Sequence, residues 1–398
     1  MSAPSLSSRL APLRPVFIAM AAAVGLTCIG MAAMSAAHPD FAAAQRKWLF
    51  VSFVAMAVCL VPHPRIIGMV TLPLMIGITA LLVLLVLPGV PRWLVPVRNG
   101  TKAWINLNFM MFQPSELAKI IFVIALARYL RFRENYRTLN GLLVPFAIMF
   151  VPVILILKEP DLGTAILFPM ALFGVLMAAG AKLKHLFALA GLAVVAIAIN
   201  VAMIYTLPES MQLLRPHQRA RIVAMVSQIR GDMRYIEDKG YQQYKAMTLV
   251  GSGQADGYGA ERSATIVGQN RLPEDHNDMI FAVIVNRWGF KGALAVLSLY
   301  GVLIVSMLTM AARSKDPFAR LALVGFAGLI FTQMAINIGM NIGLLPIIGI
   351  TLPFVSYGGS SLVATYLMIG LAANFALQRR TILARPSFEF GHVEAALR

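Results

Sequence analysis

The sequence predicts an all-α integral membrane protein of about ten transmembrane helices, with one large extracytoplasmic loop between helices 7 and 8. Three observations predict it. Of 398 residues, 59% are hydrophobic and 13% charged, and mean hydropathy is +0.76, whereas a soluble globule is apolar at about 45–50% of positions. The apolar residues gather in runs near the roughly 20 residues that a helix needs to cross the hydrocarbon layer. That pattern breaks at length only over Pro208 to Asp278, where Gly, Gln, Arg and acidic residues replace Leu, Ala, Val and Ile. Residues 1–398 therefore read as one membrane domain containing a large loop, 208–278.

In order, the spans run from Val16 to Ala37, Trp48 to Val61, Ile66 to Leu87, Pro114 to Tyr129, Leu142 to Leu157, Gly163 to Ala179, His185 to Leu207, Met279 to Met310, Ala319 to Ile342 and Ser361 to Ala376. The first has a short flank with Arg9 and Arg14, and Ala36 to His38 imitates a cleavage site. More spans follow, so it reads as a retained helix rather than a signal peptide. The second and fifth are short for a crossing.

Basic residues set the orientation. Arg65, then Arg128, Arg131, Arg133 and Arg137, Lys182 and Lys184, and Arg313, Lys315 and Arg320 alternate onto one side, joined by Arg379, Arg380 and Arg385. Cytoplasmic loops carry such an excess, which makes both termini cytoplasmic. The same distribution explains the formal net charge of +17 without nucleic acid. Cys28 and Cys59, the only cysteines, lie inside spans and read as small apolar packing residues. Arg215, Arg219, Arg221, Arg230 and Arg234 depart from the charge rule in the long loop. An anionic ligand or anionic lipid headgroups would each account for them.

The chemistry-bearing residues sit at the loop side. Leu272-Pro273-Glu274-Asp275-His276-Asn277-Asp278 brings acids to the start of a membrane-length apolar run. Ionisable groups there are by default candidates for ion, proton or substrate chemistry, and Asp278 is the leading one. Asn277 or Asp278 could instead cap the helix that follows. His276 among acids could attract a divalent cation, but its spacing fits no closed metal site, and no metal ligand set is expected.

Glu116 and Lys119 lie three apart on one helix face and can pair, either to ease burial or to leave a cation for phosphate. Gln113-Pro114-Ser115-Glu116 reads as a helix start. Asp161 in Glu159-Pro160-Asp161-Leu162-Gly163 reads as a cap in a Pro/Gly turn. The glycines at 251, 253, 257 and 259 read as a flexible loop, with phosphate cradling as the weaker alternative. Gly339 and Gly343 suggest close helix packing. Leu345 to Ser361 cannot be one regular helix, and non-helical backbone at membrane depth implies a wall of protein or a wet cavity.

These segments, in this order, resemble the SEDS family (shape, elongation, division and sporulation) of RodA and FtsW proteins, over nearly the whole chain. The resemblance rests on Gln113-Pro114-Ser115-Glu116 with Lys119, Glu159 to Thr164, Arg219-Ala220-Arg221-Ile222, Gly240-Tyr241-Gln242, Gly251-Ser252-Gly253, Leu272 to Asp278, Asn337-Ile338-Gly339-Met340 and Leu344 to Ser361. It implies a peptidoglycan glycosyltransferase in the bacterial cytoplasmic membrane that polymerises lipid II beside a class B penicillin-binding protein. The family's essential acid falls on Asp278, as base for the acceptor hydroxyl. Lys119, Arg219 and Arg221 would meet charge on the departing pyrophosphate, which a loosely held Mg²⁺ or Mn²⁺ could share; no tightly bound cofactor is implied. Gln113, Ser115, Glu116, Glu274, His276, Ser356, Tyr357 and Lys102 complete the expected substrate site.

Three positions depart from the family pattern. Asn286 and Arg287 stand for two glutamates, Asn277 for a threonine, and Ala103-Trp104 for Arg-Trp, with Lys102 as a displaced cation. An arginine near Asp278 would favour its ionised form and weaken it as a base. A lipid-precursor flippase or other transporter, and a non-catalytic scaffold for a transpeptidase, are the rival functions. The absence of a long N-terminal extension leans toward the RodA branch.

Overall fold

The computed structural model describes residues 13–97, 101–108, 110–206, 208, 216–229, 232 and 240–377. The helices are α1 (Arg14–Ala37), α2 (Pro39–Leu60), α3 (Pro64–Val86), α4 (Pro114–Arg131), α5 (Leu143–Lys158), α6 (Leu162–Ala179), α7 (Leu183–Thr206), α8 (Pro216–Ile229), α9 (Tyr241–Ser252), α10 (Gly259–Asn270), α11 (Ile280–Arg313), α12 (Pro317–Asn341) and α13 (Gly359–Leu377). A two-strand hairpin, β1 (Ile105–Asn106) with β2 (Met111–Phe112), precedes α4.

Among the described residues, nine helices are long and apolar enough to cross a membrane, and the chain is an all-α multi-pass membrane protein. The tenth expected span, α4, is not one of the nine, since its 18 residues include Glu116, Lys119, Arg128 and Arg131. Other helices enclose it instead: Glu116 and Lys119 are buried and Phe122, Val123 and Leu126 are 0% exposed. Neighbouring protein replaces the lipid that such charges could not face.

Helix α2 begins nine residues before the expected Trp48, at Pro39. Its first turns carry Asp40, Gln45, Arg46 and Lys47, which hide a helix from hydropathy but not from the backbone. The long loop is itself partly helical, containing α8, α9 and α10.

Helix α11, expected as one span, breaks at Gly289, whose φ of 64° and ψ of −158° suit glycine alone. The break leaves amides for other partners, and those of Phe290 and Lys291 donate to Gln254 and Ala255 carbonyls at 2.8 and 3.3 Å. A Cβ on Gly253, Gly257 or Gly289 would lie within 2.5 Å of the backbone it packs on. Of the four glycines expected to form a flexible or phosphate-cradling loop, Gly253 and Gly257 thus make a tight backbone-to-backbone joint, while Gly251 and Gly259 face open space.

The core runs through α12 and α13, with α12 against α4, α6 and α11, α1 along α11, and α2 along α13. By contrast α7 is a peripheral helix on which only Leu186 is buried. At the end away from the long loop, Arg131 pairs with Asp316 at 3.6 Å and Asn374 donates to carbonyls of Cys59, Leu60 and Pro62. The basic group that fixed the expected orientation therefore shares an end with two other loops of that side. Arg379, Arg380 and Arg385 lie outside the described residues, as do Arg215, Arg230 and Arg234.

Candidate active site

Helix α12 builds the site with three amides four residues apart, Gln333, Asn337 and Asn341, all at most 1% exposed. Spacing of four puts them on one face. Gln333 donates to the Thr351 carbonyl at 3.0 Å and Asn337 to the Ile350 carbonyl at 2.6 Å, so the non-helical stretch after α12 is held by side chains. Asn337 and Asn341 also donate to the Asp278 carbonyl, at 2.8 and 3.0 Å. Asn341 Oδ1 accepts from the Ala282 amide at 3.2 Å, serving the first turn of α11.

That last bond frees Asp278. The helix is capped at Met279 with no side-chain bond, so neither Asn277 nor Asp278 is the expected cap. Asp278 is 6% exposed, and its Oδ1 has no hydrogen-bond partner. Burying an unpaired carboxylate is costly. Burial chiefly, with the charge of Glu274, raises Asp278 to about 7, against the pull of its backbone amide, Arg221 and His276. Gly349, whose φ of 72° favours glycine, lies beside Oδ2, a Cβ there being 4.0 Å from that oxygen.

Around Asp278 the expected residues gather closely. Glu274, itself at φ 55°, accepts from Asn277 Nδ2 at 3.3 Å. Arg221 reaches in from α8 and donates to the Ile347 carbonyl at 2.8 Å. Ser356 Oγ donates to the Asn277 carbonyl at 2.6 Å and accepts from the Leu352 amide, while the Tyr357 amide donates to the His276 carbonyl. His276 meets Asp275 at 3.2 Å, and Asp275 meets His38 at 2.8 Å. Burial acts against Asp275, but hydrogen bonds and charge from His276 and His38 outweigh it and hold that carboxyl below its usual range.

A second polar cluster lies between α4, α6 and α12. Lys119, 0% exposed, pairs with Glu116 at 2.9 Å and donates to Gln333 Oε1 at 3.1 Å. Asp161 caps α6 as expected, taking the Thr164 amide at 2.9 Å and hydroxyl at 2.7 Å, and gathers Gln113 at 3.2 Å and Ser115 at 3.4 Å. Burial raises Asp161, partly offset by Thr164. Glu159 is 2% exposed with neither oxygen hydrogen-bonded, and burial with the nearby Asp161 charge raises it to about 9.

The expected site residues thus form two groups joined by α12. Glu274, His276, Arg221, Ser356 and Tyr357 surround Asp278; Gln113, Ser115 and Glu116 surround Lys119. Lys119 is enclosed with its ammonium held by Glu116 and Gln333, whereas Arg221 stands on the loop side with a bond to the Ile347 carbonyl. Arg219 lies half-buried on α8, and Lys102 is exposed beside the hairpin. The expected close packing at this glycine pair involves the loop side: Gly339 admits the Leu345 side chain, and Gly343 (φ 80°), in the turn after α12, admits Met247 of α9.

Arg287 donates to the Ala32 carbonyl and stacks 4.5 Å from Trp288, and it is not among the charges acting on Asp278. Buried Asn286 bonds Ser252 at 2.8 Å and Ser263 at 2.6 Å, tying α9 and α10 to α11. An apolar groove of about 420 Å³ between α3 and α5, lined by Met75, Ile76, Thr79, Ala147, Ile148 and Val151, includes none of the site residues.

Missed from sequence were His38 and the amides Gln333 and Asn341. Three amides at spacing four inside an apolar span were the available signal, since intramembrane polar groups are expensive. For His38 there was none, its partner being 237 residues away.

The family model for cell cycle proteins of the FtsW, RodA and SpoVE type matches residues 13–381. The chain belongs to this family. It is 33% identical over 312 residues to a probable peptidoglycan glycosyltransferase FtsW of Nitrosomonas europaea, covering 77% of this chain and 74% of that one. It is 31% identical over 286 residues to the peptidoglycan glycosyltransferase MrdB of Escherichia coli K12, covering 72% and 74%. Among solved structures, RodA of Thermus thermophilus superposes with TM-score 0.65 at 26% identity, over 90% of this chain and 95% of that one. A chain of a peptidoglycan synthase complex that coordinates polymerization and crosslinking superposes with TM-score 0.75 at 27% identity, over 91% and 98%.

Proposed function

We propose that this FtsW/RodA/SpoVE-family chain is an inverting peptidoglycan glycosyltransferase that polymerises lipid II at the outer face of the bacterial cytoplasmic membrane. The observation that carries the mechanism is the buried, unpartnered Oδ1 of Asp278, held in place through its own carbonyl by Asn337 and Asn341. The carboxylate takes the proton of the acceptor GlcNAc 4-hydroxyl. The freed oxygen bonds to MurNAc C1 of the donor while the C1–O bond to polyprenyl pyrophosphate breaks, with inversion at C1.

The leaving group departs with negative charge, which Arg221, with Arg219 on the same helix, would offset. A Mg²⁺ or Mn²⁺ ion bound with the substrate's pyrophosphate would share that charge, since such ions keep much of their water and need few protein ligands. Lys119 acts at a distance, holding Gln333 and through it the Thr351 segment. The names of the relatives support the activity, and the synthase complex supports a transpeptidase partner of the class B penicillin-binding type. The basic loops support cytoplasmic termini.

The test is a glycan-product gel from purified protein with lipid II, with and without the partner and divalent cation. Polymer from the native chain and none from folded Asp278→Asn is expected. Equal polymer from both would remove the base.

A further inference from the structure

We propose that His38, Asp275 and His276 form a binding site for one divalent transition-metal ion of the zinc class, which clamps the α1–α2 turn to the strand of chain bearing Asp278. The three residues each offer a ligand atom, and those atoms all lie within 4.8 Å of one another. They come from distant parts of the chain, His38 from the break between α1 and α2 and the other two from the turn before α11. Two imidazoles and one carboxylate, with the remaining positions open to water, are a familiar donor set for zinc and its neighbours, and imidazole selects these ions over magnesium or calcium.

The geometry is close to what such an ion needs. Ligand atoms about 2.0–2.1 Å from a tetrahedral ion lie roughly 3.3 Å from each other. Asp275 Oδ2 is 2.8 Å from His38 Nε2, and Oδ1 is 3.2 Å from His276 Nδ1. An ion entering between them would replace two hydrogen bonds with coordination and small movements.

The rings are already oriented. His276 stacks on Phe41 at 4.1 Å and 12°, His38 meets His276 edge-on at 5.5 Å, and Tyr357 packs on Phe41 at 4.8 Å. Ring orientation fixed from outside is what raises a metal site's affinity. The carboxylate side chain is 10% exposed but the imidazoles are 35% and 21% exposed, so the ion has a way in.

The clamp acts on position. Asp275 and His276 sit three and two residues before Asp278, and Gln45 of α2 donates to the Ser356 carbonyl at 3.0 Å in the same wall. The proposal stands on this geometry whether or not the chain polymerises lipid II.

The experiment uses the full chain in detergent, stripped with chelator, then titrated with Zn²⁺, Co²⁺ or Mg²⁺. One Zn²⁺ per chain by elemental analysis, visible Co²⁺ bands of four- or five-coordination, and a rise in Tm with Zn²⁺ but not Mg²⁺ are expected. His38→Gln, which can keep the hydrogen bond to Asp275, should lower Zn²⁺ affinity at least tenfold while its metal-free Tm stays at the native value. Asp275→Asn should lose the Co²⁺ bands. Sub-stoichiometric Zn²⁺, octahedral Co²⁺ only, or undiminished binding in His38→Gln overturns the site and leaves a hydrogen-bonded His–Asp–His triad.

Discussion

The two polar clusters that α12 joins treat their charges in opposite ways. In one, Lys119 is fully enclosed and answered by Glu116 and Gln333, and Asp161 takes up three neighbouring side chains and an amide. In the other, Asp278 is equally deep yet keeps Oδ1 unpartnered, while the amides that could have served it bond its main-chain carbonyl. A satisfied buried network holds a shape; an unsatisfied carboxylate is a group kept ready for something that arrives. Similar burial therefore predicts different consequences on the two sides, one in rate and one in stability.

The largest expected effect separates them at once. Asp278→Asn keeps the side-chain shape and every main-chain bond, and should lower lipid II polymerisation by about 10²- to 10⁴-fold, the usual contribution of a positioned base. Its Tm should match or exceed the native value, since an amide is cheaper to bury than an ionised acid. A fall of several degrees with activity kept would reverse the comparison.

Next comes Lys119→Met on the paired side. Removing one member of a buried pair strands Glu116 and costs about 3–5 kcal/mol. Thermal unfolding in detergent should show it as a large loss of Tm, and the double change Lys119→Met with Glu116→Leu should recover most of it. If the double variant is no more stable than the single, the stranded Glu116 is not what destabilises the bundle.

Asn341→Leu tests the link between the sides. It removes the donor to the Asp278 carbonyl and the acceptor for the Ala282 amide, for a loss of about 1–3 kcal/mol. Because those bonds aim Asp278, polymerisation should fall further than thermal stability explains, with kcat more affected than KM. An unchanged kcat in protein of lowered Tm would make Asn341 a purely structural residue.

How much of this was readable from the sequence follows the range of the forces involved. Hydropathy is local, so most spans were placed within three residues of the helices, as with Gly163 against Leu162 in α6. Charge on a helix start is also local but hides the helix, which is why Asp40 to Lys47 concealed the first turns of α2. The kink at Gly289 depends on carbonyls of Gln254 and Ala255, and a glycine inside an apolar run gives no hint of such partners. Asp278 was legible because an acid at a membrane boundary is costly wherever it points. What it touches was not: Asn341 is 63 residues away. The pairing of His38 with Asp275 closes over a still longer stretch and needed the fold itself.

The smallest effect concerns Glu159, which borders the satisfied cluster but has no hydrogen-bond partner on either oxygen. Burial and the Asp161 charge lift its carboxyl from the ordinary 4.5 to about 9. Between those values the folded chain keeps a proton that the unfolded chain has lost, so stability falls as pH rises through that window. The full contribution is present below the ordinary value and is gone above the raised one. Over any single pH unit inside the window the change is at most about 1.4 kcal/mol. Glu159→Gln removes the ionisation and should flatten the dependence, so its Tm advantage over the native chain should widen from pH 6 to pH 8. If instead the native Tm rises relative to the variant across that range, Glu159 is ionised in the folded protein and has a cation beside it, which would place it with Glu116 among the answered charges.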